Sequence, residues 1–117
     1  MAYRDSDARL QSALEDALHI PVRRLVYKGS GVSALAIYQC TRSEPVMWAD
    51  DEVYAERHSY RIDIYARTGH VALVRAAHDA LYAAGFDGII GSGEDYDDGT
   101  QMYHAEMECS YTEQEEG

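Results

Sequence analysis

Basic residues are scarce in this 117-residue chain: 10 lysines and arginines stand against 21 aspartates and glutamates, a formal net charge of -11. Phosphate recognition needs a cationic surface, so free nucleic acid is not an expected partner. An anionic bilayer surface is disfavoured for the same reason. Proline is nearly absent, with 2 residues, while 46% of the chain is hydrophobic. That balance belongs to a folded chain rather than a disordered one. Cysteine is limited to Cys40 and Cys109, far apart in strand-like runs. Free buried thiols in a reducing compartment are expected, not a disulfide. No apolar run approaches the length needed to span a bilayer. The charged opening MAYRDSDARL is not expected to act as a signal peptide. A single domain over residues 1–117 is expected, with 1–4 and 113–117 frayed.

Catalytic signatures are equally sparse. No glycine-rich phosphate loop is followed by lysine. Gly88 to Gly93, GIIGSG, leads into an acidic strand and not a helix, so it predicts a twisted or bulged strand. His19, His58, His70, His78 and His104 form no HExxH-type pair, and are expected at helix ends or facing solvent. Glu94, Asp95, Asp97 and Asp98 lack the spacing of a calcium loop and read as a solvated hairpin tip. Ser33, Ser59 and Ser92 have no local context of an activated nucleophile. The expectation is a non-enzymatic protein with no catalytic residues, no metal and no cofactor.

What the chain does contain is strong strand patterning. In WADDEVYAERHSYRIDIYAR, Tyr60, Ile62, Ile64 and Ala66 alternate with Arg61, Asp63, Tyr65 and Arg67. Such alternation predicts a strand over about 53–67 with one dry and one wet face, central in a small sheet. Before it, Asp5 or Ser6 can cap a helix in which Leu10, Ala13, Leu14, Ala17 and Leu18 form an apolar stripe, ended before Pro21. Val22 to Tyr27 and Ala34 to Thr41 read as strands, the latter interior, and 42–51 as a loop carrying Pro45, Met47 and Trp48. After it, Thr68 can cap a helix from His70 to Ala84. Val71, Val74, Ala77, His78, Leu81 and Tyr82 should share one side of it, with Gly85 as a left-handed cap. Ile89–Asp97 and Gln101–Tyr111 read as a hairpin turning at Asp98-Gly99. That register would set Ile90 on the face of Met107 and bring Phe86 near Tyr111. Tyr103, Ala105, Met107, Cys109 and Tyr111 should point inward, and His104, Glu106, Glu108 and Ser110 to water. The fold class is therefore α+β: a mainly antiparallel sheet of four or five strands with two helices, in the order helix-β-β-β-helix-β-β.

These residues carry a resemblance. The run ADDEVYAERHSYRIDIYAR, a helix ending AAGFDG, and then EDYDDGTQMYHAEMECSY resemble the tailed-phage tail terminator or tail-completion (head–tail joining) proteins. Asp50, Asp51, Tyr54, Tyr60, Ile62, Ile64 and Tyr65 match the first part of the pattern, and Glu94, Tyr96, Tyr103 and His104 the second, over roughly residues 20–112. The resemblance implies a structural virion protein, assembled in the host cytoplasm. It would form a six-membered ring with copies of itself on the tail-tube protein, end tube polymerisation, and offer a surface to a head-completion or connector protein. Another small head–tail connector or minor tail protein is the alternative; a small non-viral α+β binding module is the remote one. A ring requires two different complementary patches on each subunit. The expected interface residues are Met47, Trp48, Asp50, Asp51, Glu52, Arg61, Asp63, Arg67, Glu106 and Glu108. Asp50 and Asp51 serve equally well as a local turn. An acidic ring interior would let DNA pass without arrest.

Overall fold

The computed structural model describes residues 4–29, 31–49 and 52–114, with side chains described except at 47–49 and 52–54. The order is α1 (Asp5–Leu18), β1 (Val22–Arg24), β2 (Ala34–Ala49), β3 (Glu52–Ala66), α2 (His70–Ala83), β4 (Asp87–Asp97) and β5 (Met102–Gln114). The strands form one five-stranded sheet, β1-β2-β3-β5-β4. β1 runs parallel to β2, and every other pairing is antiparallel. The α+β expectation holds, with β3 in the middle of the sheet.

The alternation in β3 produces the layering. Tyr60, Ile62, Ile64 and Ala66 are no more than 1% exposed. Tyr60, Ile62 and Ile64 join Leu10, Leu14 and Leu18 of α1, Ala77 and Leu81 of α2, and Met107 and Cys109 of β5 in one core. Both helices therefore lie on the same side of the sheet. The other face, with Leu35, Ile37, Arg61, Tyr65 and Glu106 half-buried, carries no helix among the described residues.

Helix ends are set by backbone more than by side-chain caps. α1 has Arg4 as its N-cap residue with no side-chain cap, so neither Asp5 nor Ser6 plays that part. It stops at His19, whose φ of 54° is left-handed. Thr68 does not cap α2 either; Gly69 stands there. At the far end, Gly85 (φ 94°) turns the chain so that its N–H reaches the Tyr82 carbonyl and the Phe86 N–H reaches that of Leu81. This paired closure needs the glycine conformation. It drops Phe86, 3% exposed, between Tyr60 and Tyr111, at ring-centroid distances of 6.2 and 5.0 Å. The expected approach of Phe86 to Tyr111 is thus present.

Several expectations are corrected. β1 is shorter than 22–27, because Leu25 adopts φ 68° and leaves the strand. Residues 42–49 are not a loop: β2 continues through them, paired with β3 as far as Ala49↔Glu52. Pro45 fits because β1 covers only Ala36 to Tyr38, so this stretch of β2 is an edge, where a missing N–H is tolerated. The ladder also shifts register between Cys40 and Arg42, Pro45 and Met47, and Met47 and Trp48.

The β4–β5 connection is longer than an Asp-Gly two-residue turn. Asp97 pairs with Met102, and its carboxylate accepts from the Gly99 N–H and the Thr100 hydroxyl, both at 3.0 Å. The left-handed residue is Gln101 (φ 59°). Bulging in 88–93 is as expected, with register shifts between Asp87 and Ile90 and between Gly91 and Gly93, and Gly88 at φ 58°. Those shifts set Ile90 opposite Glu108, 54% exposed, instead of beside Met107. A one-residue slip reverses which face a side chain takes.

On β5, Ala105, Met107 and Cys109 point inward as expected. Tyr103 is 42% exposed, lying beyond the core and stacked on His70 at 4.8 Å. Tyr111 is half-buried. α2 is rotated relative to its expected face: Ala77 and Leu81 are buried, but Val71, His78 and Tyr82 are exposed. Glu113 and Gln114, expected to fray, belong to β5. Residues 1–3 and 115–117 lie outside the described residues.

Both cysteines are free, but only Cys109 is buried. Burial, together with the charge of Asp87, pushes the Cys109 thiol up to about 12. A thiol reagent should therefore titrate Cys40 in the native protein and reach Cys109 only after denaturation. Two fast native thiols would contradict the packing of β5.

Candidate assembly surface

The expected interface residues separate into two places. Met47, Trp48 and Glu52 lie at the outer end of the β2–β3 hairpin. Asp50 and Asp51 are outside the described residues, as are the side chains of Met47, Trp48 and Glu52. Among the described residues, β5 accompanies β3 as far as Ala55↔Gln114, and the β2–β3 hairpin runs on past that pair. The molecule measures 53 × 26 × 23 Å. At about 3.3 Å per residue, β3 by itself runs roughly 50 Å, close to the long axis.

Arg61, Asp63, Glu106 and Glu108 lie about 30–36 Å from Glu52 along the strand direction, on the face of the sheet away from the helices. Register explains their clustering: Arg61 is opposite Glu108, Asp63 opposite Glu106, and Tyr65 opposite His104. Two facing carboxylates repel unless neutralised. Arg61 supplies the charge, with Nη2 donating to Asp63 Oδ1 at 3.0 Å and Glu106 Oε1 at 2.6 Å.

His104 takes the face away from the core that the alternation predicts, but it is covered there. Expected to face water, its side chain is 12% exposed. Its Nε2 lies 2.7 Å from Asp63 Oδ1 and its Nδ1 3.0 Å from Asp95 Oδ1. The ring stacks on Tyr65 at 4.6 Å with a 15° tilt. Burial opposes protonation here, but hydrogen bonds to Asp63 and Asp95, and their charges, outweigh it and hold His104 above the ordinary histidine value. Asp95 and Glu94 are consequently not just solvated tip residues; Glu94 meets His70 Nε2 at 2.8 Å.

Arg67 sits apart, at the rim of a hollow of about 380 Å³ with Tyr27, Val32, Leu35, Ile37 and Met102. The remaining expected residues thus make no single patch with the hairpin end.

On the helix side, two polar groupings lie where α1 meets the sheet. Tyr60 donates to Asp7 Oδ1 at 2.5 Å and shares a hydrogen bond with Ser6 Oγ, while Arg4 reaches both Asp7 oxygens at 3.0 and 3.2 Å. Burial and the bond to Asp7 raise the Tyr60 hydroxyl far above its usual value, so it remains a donor. Nearby, Ser43 Oγ lies 2.7 Å from His58 Nδ1, and His58 Nε2 lies 3.4 Å from Glu113. His58 is 5% exposed, another histidine expected at the surface. The order Ser43–His58–Glu113 mimics a nucleophile, base and acid. Ser43 is in an ordinary cross-strand pair with His58, and the adjacent α1 N-terminus gives its Ser6 N–H to Glu113 itself. That N–H is not available to stabilise an oxyanion.

No helix among the described residues is long and apolar enough to cross a membrane. Compared with protein-family models and with curated proteins, the sequence matches none.

Proposed function

We propose that this chain is a structural assembly subunit: it caps a phage tail tube as a ring of its own copies, ends tube polymerisation and presents the surface for head attachment. The observation that carries this reading is the division of the molecule into a covered and an uncovered side. Among the described residues, one sheet face is filled by α1 and α2, the other carries no helix, and the β2–β3 hairpin reaches past the last described pairing of β5. A two-stranded hairpin end has little to bury alone, so contact with a neighbour is its natural source of support. Hairpin and bare face are different patches, as a head-to-tail ring contact requires. The resemblance in residues 20–112 supplies the tail assignment, the tail-tube and head-connector partners, and the place in the virion. The net charge of -11 suits a conduit wall that DNA slides past. No bond in a substrate is made or cut.

Electron microscopy of tails assembled with and without this protein tests the proposal. Tubes of uncontrolled length are expected in its absence. Tubes of normal length that only fail to join heads would overturn capping in favour of a joining role.

A further inference from the structure

The charged centre of the bare face has a second reading that does not depend on the tail assignment. Asp63, His104 and Glu106 each offer one donor atom, and these atoms lie within 4.8 Å of one another. Tetrahedral zinc ligands, with bonds near 2.1 Å, sit roughly 3.4 Å apart, so small side-chain adjustments suffice. The donors are held by regular structure: Asp63 faces Glu106 across the β3–β5 ladder, and His104, paired with Tyr65, is the next residue on that same face of β5.

The histidine is oriented as a ligand would be. Its Nδ1 lies 3.0 Å from the Asp95 carboxylate of β4, and Tyr65 stacks on the ring. These contacts fix the ring and aim Nε2 at Asp63. A carboxylate behind a metal-binding imidazole is the usual outer support for such ligands. The point between the carboxylates is already a cation position, because the Arg61 guanidinium bridges Asp63 and Glu106. Arg61 is 40% exposed on a long side chain, so it can swing out to water.

We propose that Asp63, His104 and Glu106 form a binding site for a borderline divalent transition ion of the zinc and cobalt kind, with Arg61 as a displaceable internal counter-ion. One imidazole and two carboxylates suit such ions better than calcium or magnesium, which favour all-oxygen sites. The ion takes the place of the Nε2 proton, which passes to solvent, and of the guanidinium. Three protein ligands leave a further coordination position for water.

The test is titration of the full-length protein with cobalt, followed by visible absorption, and with zinc, followed by calorimetry. One saturable equivalent is expected. His104→Ala should lose at least tenfold in affinity, and Asp95→Asn about tenfold, the effect of removing an outer support. Arg61→Ala should bind several-fold tighter, because it frees both carboxylates; a folding defect would not mimic that gain. His78→Ala, altering an exposed histidine elsewhere, should bind like the parent. Three results would overturn the site: no saturable binding below millimolar metal, binding that His104→Ala leaves intact, or weaker binding in Arg61→Ala.

Discussion

Leu81→Ala should cost roughly 3 kcal/mol, the loss typical of a leucine side chain removed from a packed interior. Its neighbour Tyr82→Ala should change stability by less than about 0.5 kcal/mol, like other surface substitutions. Leu81 is 0% exposed and Tyr82 74% exposed. Adjacent residues on a helix differ by about a quarter-turn in direction, and here that separates core from solvent. Urea unfolding of the two variants decides the matter. In thermal unfolding, the Leu81 variant should melt on the order of 10 °C lower. Equal losses at the two positions would restore the broader apolar face that the sequence predicts for α2.

The second large effect is expected at Asp7. Its side chain is 1% exposed and accepts hydrogen bonds from Tyr60 and Arg4. Asp7→Ala removes a charged acceptor from beneath α1, and a cost of about 2–3 kcal/mol follows from such a hydrogen bond. The Arg4 side chain is 21% exposed and can return to water, which keeps the loss below that of a fully buried ion pair. Tyr60→Phe should cost less, because Asp7 keeps its Arg4 partner when the hydroxyl is lost, and Ser6 loses only a neutral one. The double variant should fall short of the sum by about 1 kcal/mol, since both substitutions break one contact. An additive pair, or an alanine variant as stable as the parent, would show that α1 is docked by Leu10, Leu14 and Leu18 alone.

What the sequence made legible is what repeats. β3 and β5 alternate with period two and sit next to each other in the sheet, so each enforces the register of the other. The leucine stripe of α1 was readable for the same reason, with Leu10, Leu14 and Leu18 all buried. The errors arose where a residue's environment is supplied from elsewhere. Pro45 looks like a strand breaker unless one knows that β1 stops short and leaves β2 an open edge there. Asp98-Gly99 looks like a tight turn unless the side chain of Asp97 is known to organise a wider one. Val71 and Tyr82 carry the right spacing, but the helix axis lies so that the Ala77–Leu81 line, flanked by half-buried Leu73 and Val74, meets the core.

The candidate site was half legible. Arg61, Asp63, Glu106 and Glu108 could be placed on one wet face by parity. Their union with His104 depends on partners 41 and 9 residues away along the chain, which no local window contains. His58 shows the same limit: its contact to Ser43 spans 15 residues and is created by the part of β2 that the sequence hides as a loop.

The interrupted ladder of β2 bears on how the protein behaves in a crowded cell. An open strand edge is a row of unused backbone donors and acceptors, ready to recruit any extended chain and stack into fibres. Here the rhythm breaks near residues 40, 45 and 47, and Pro45 offers no N–H at all. A foreign strand would lose step after a few residues. The hairpin can thus stay extended and stiff without seeding a growing stack of its own kind.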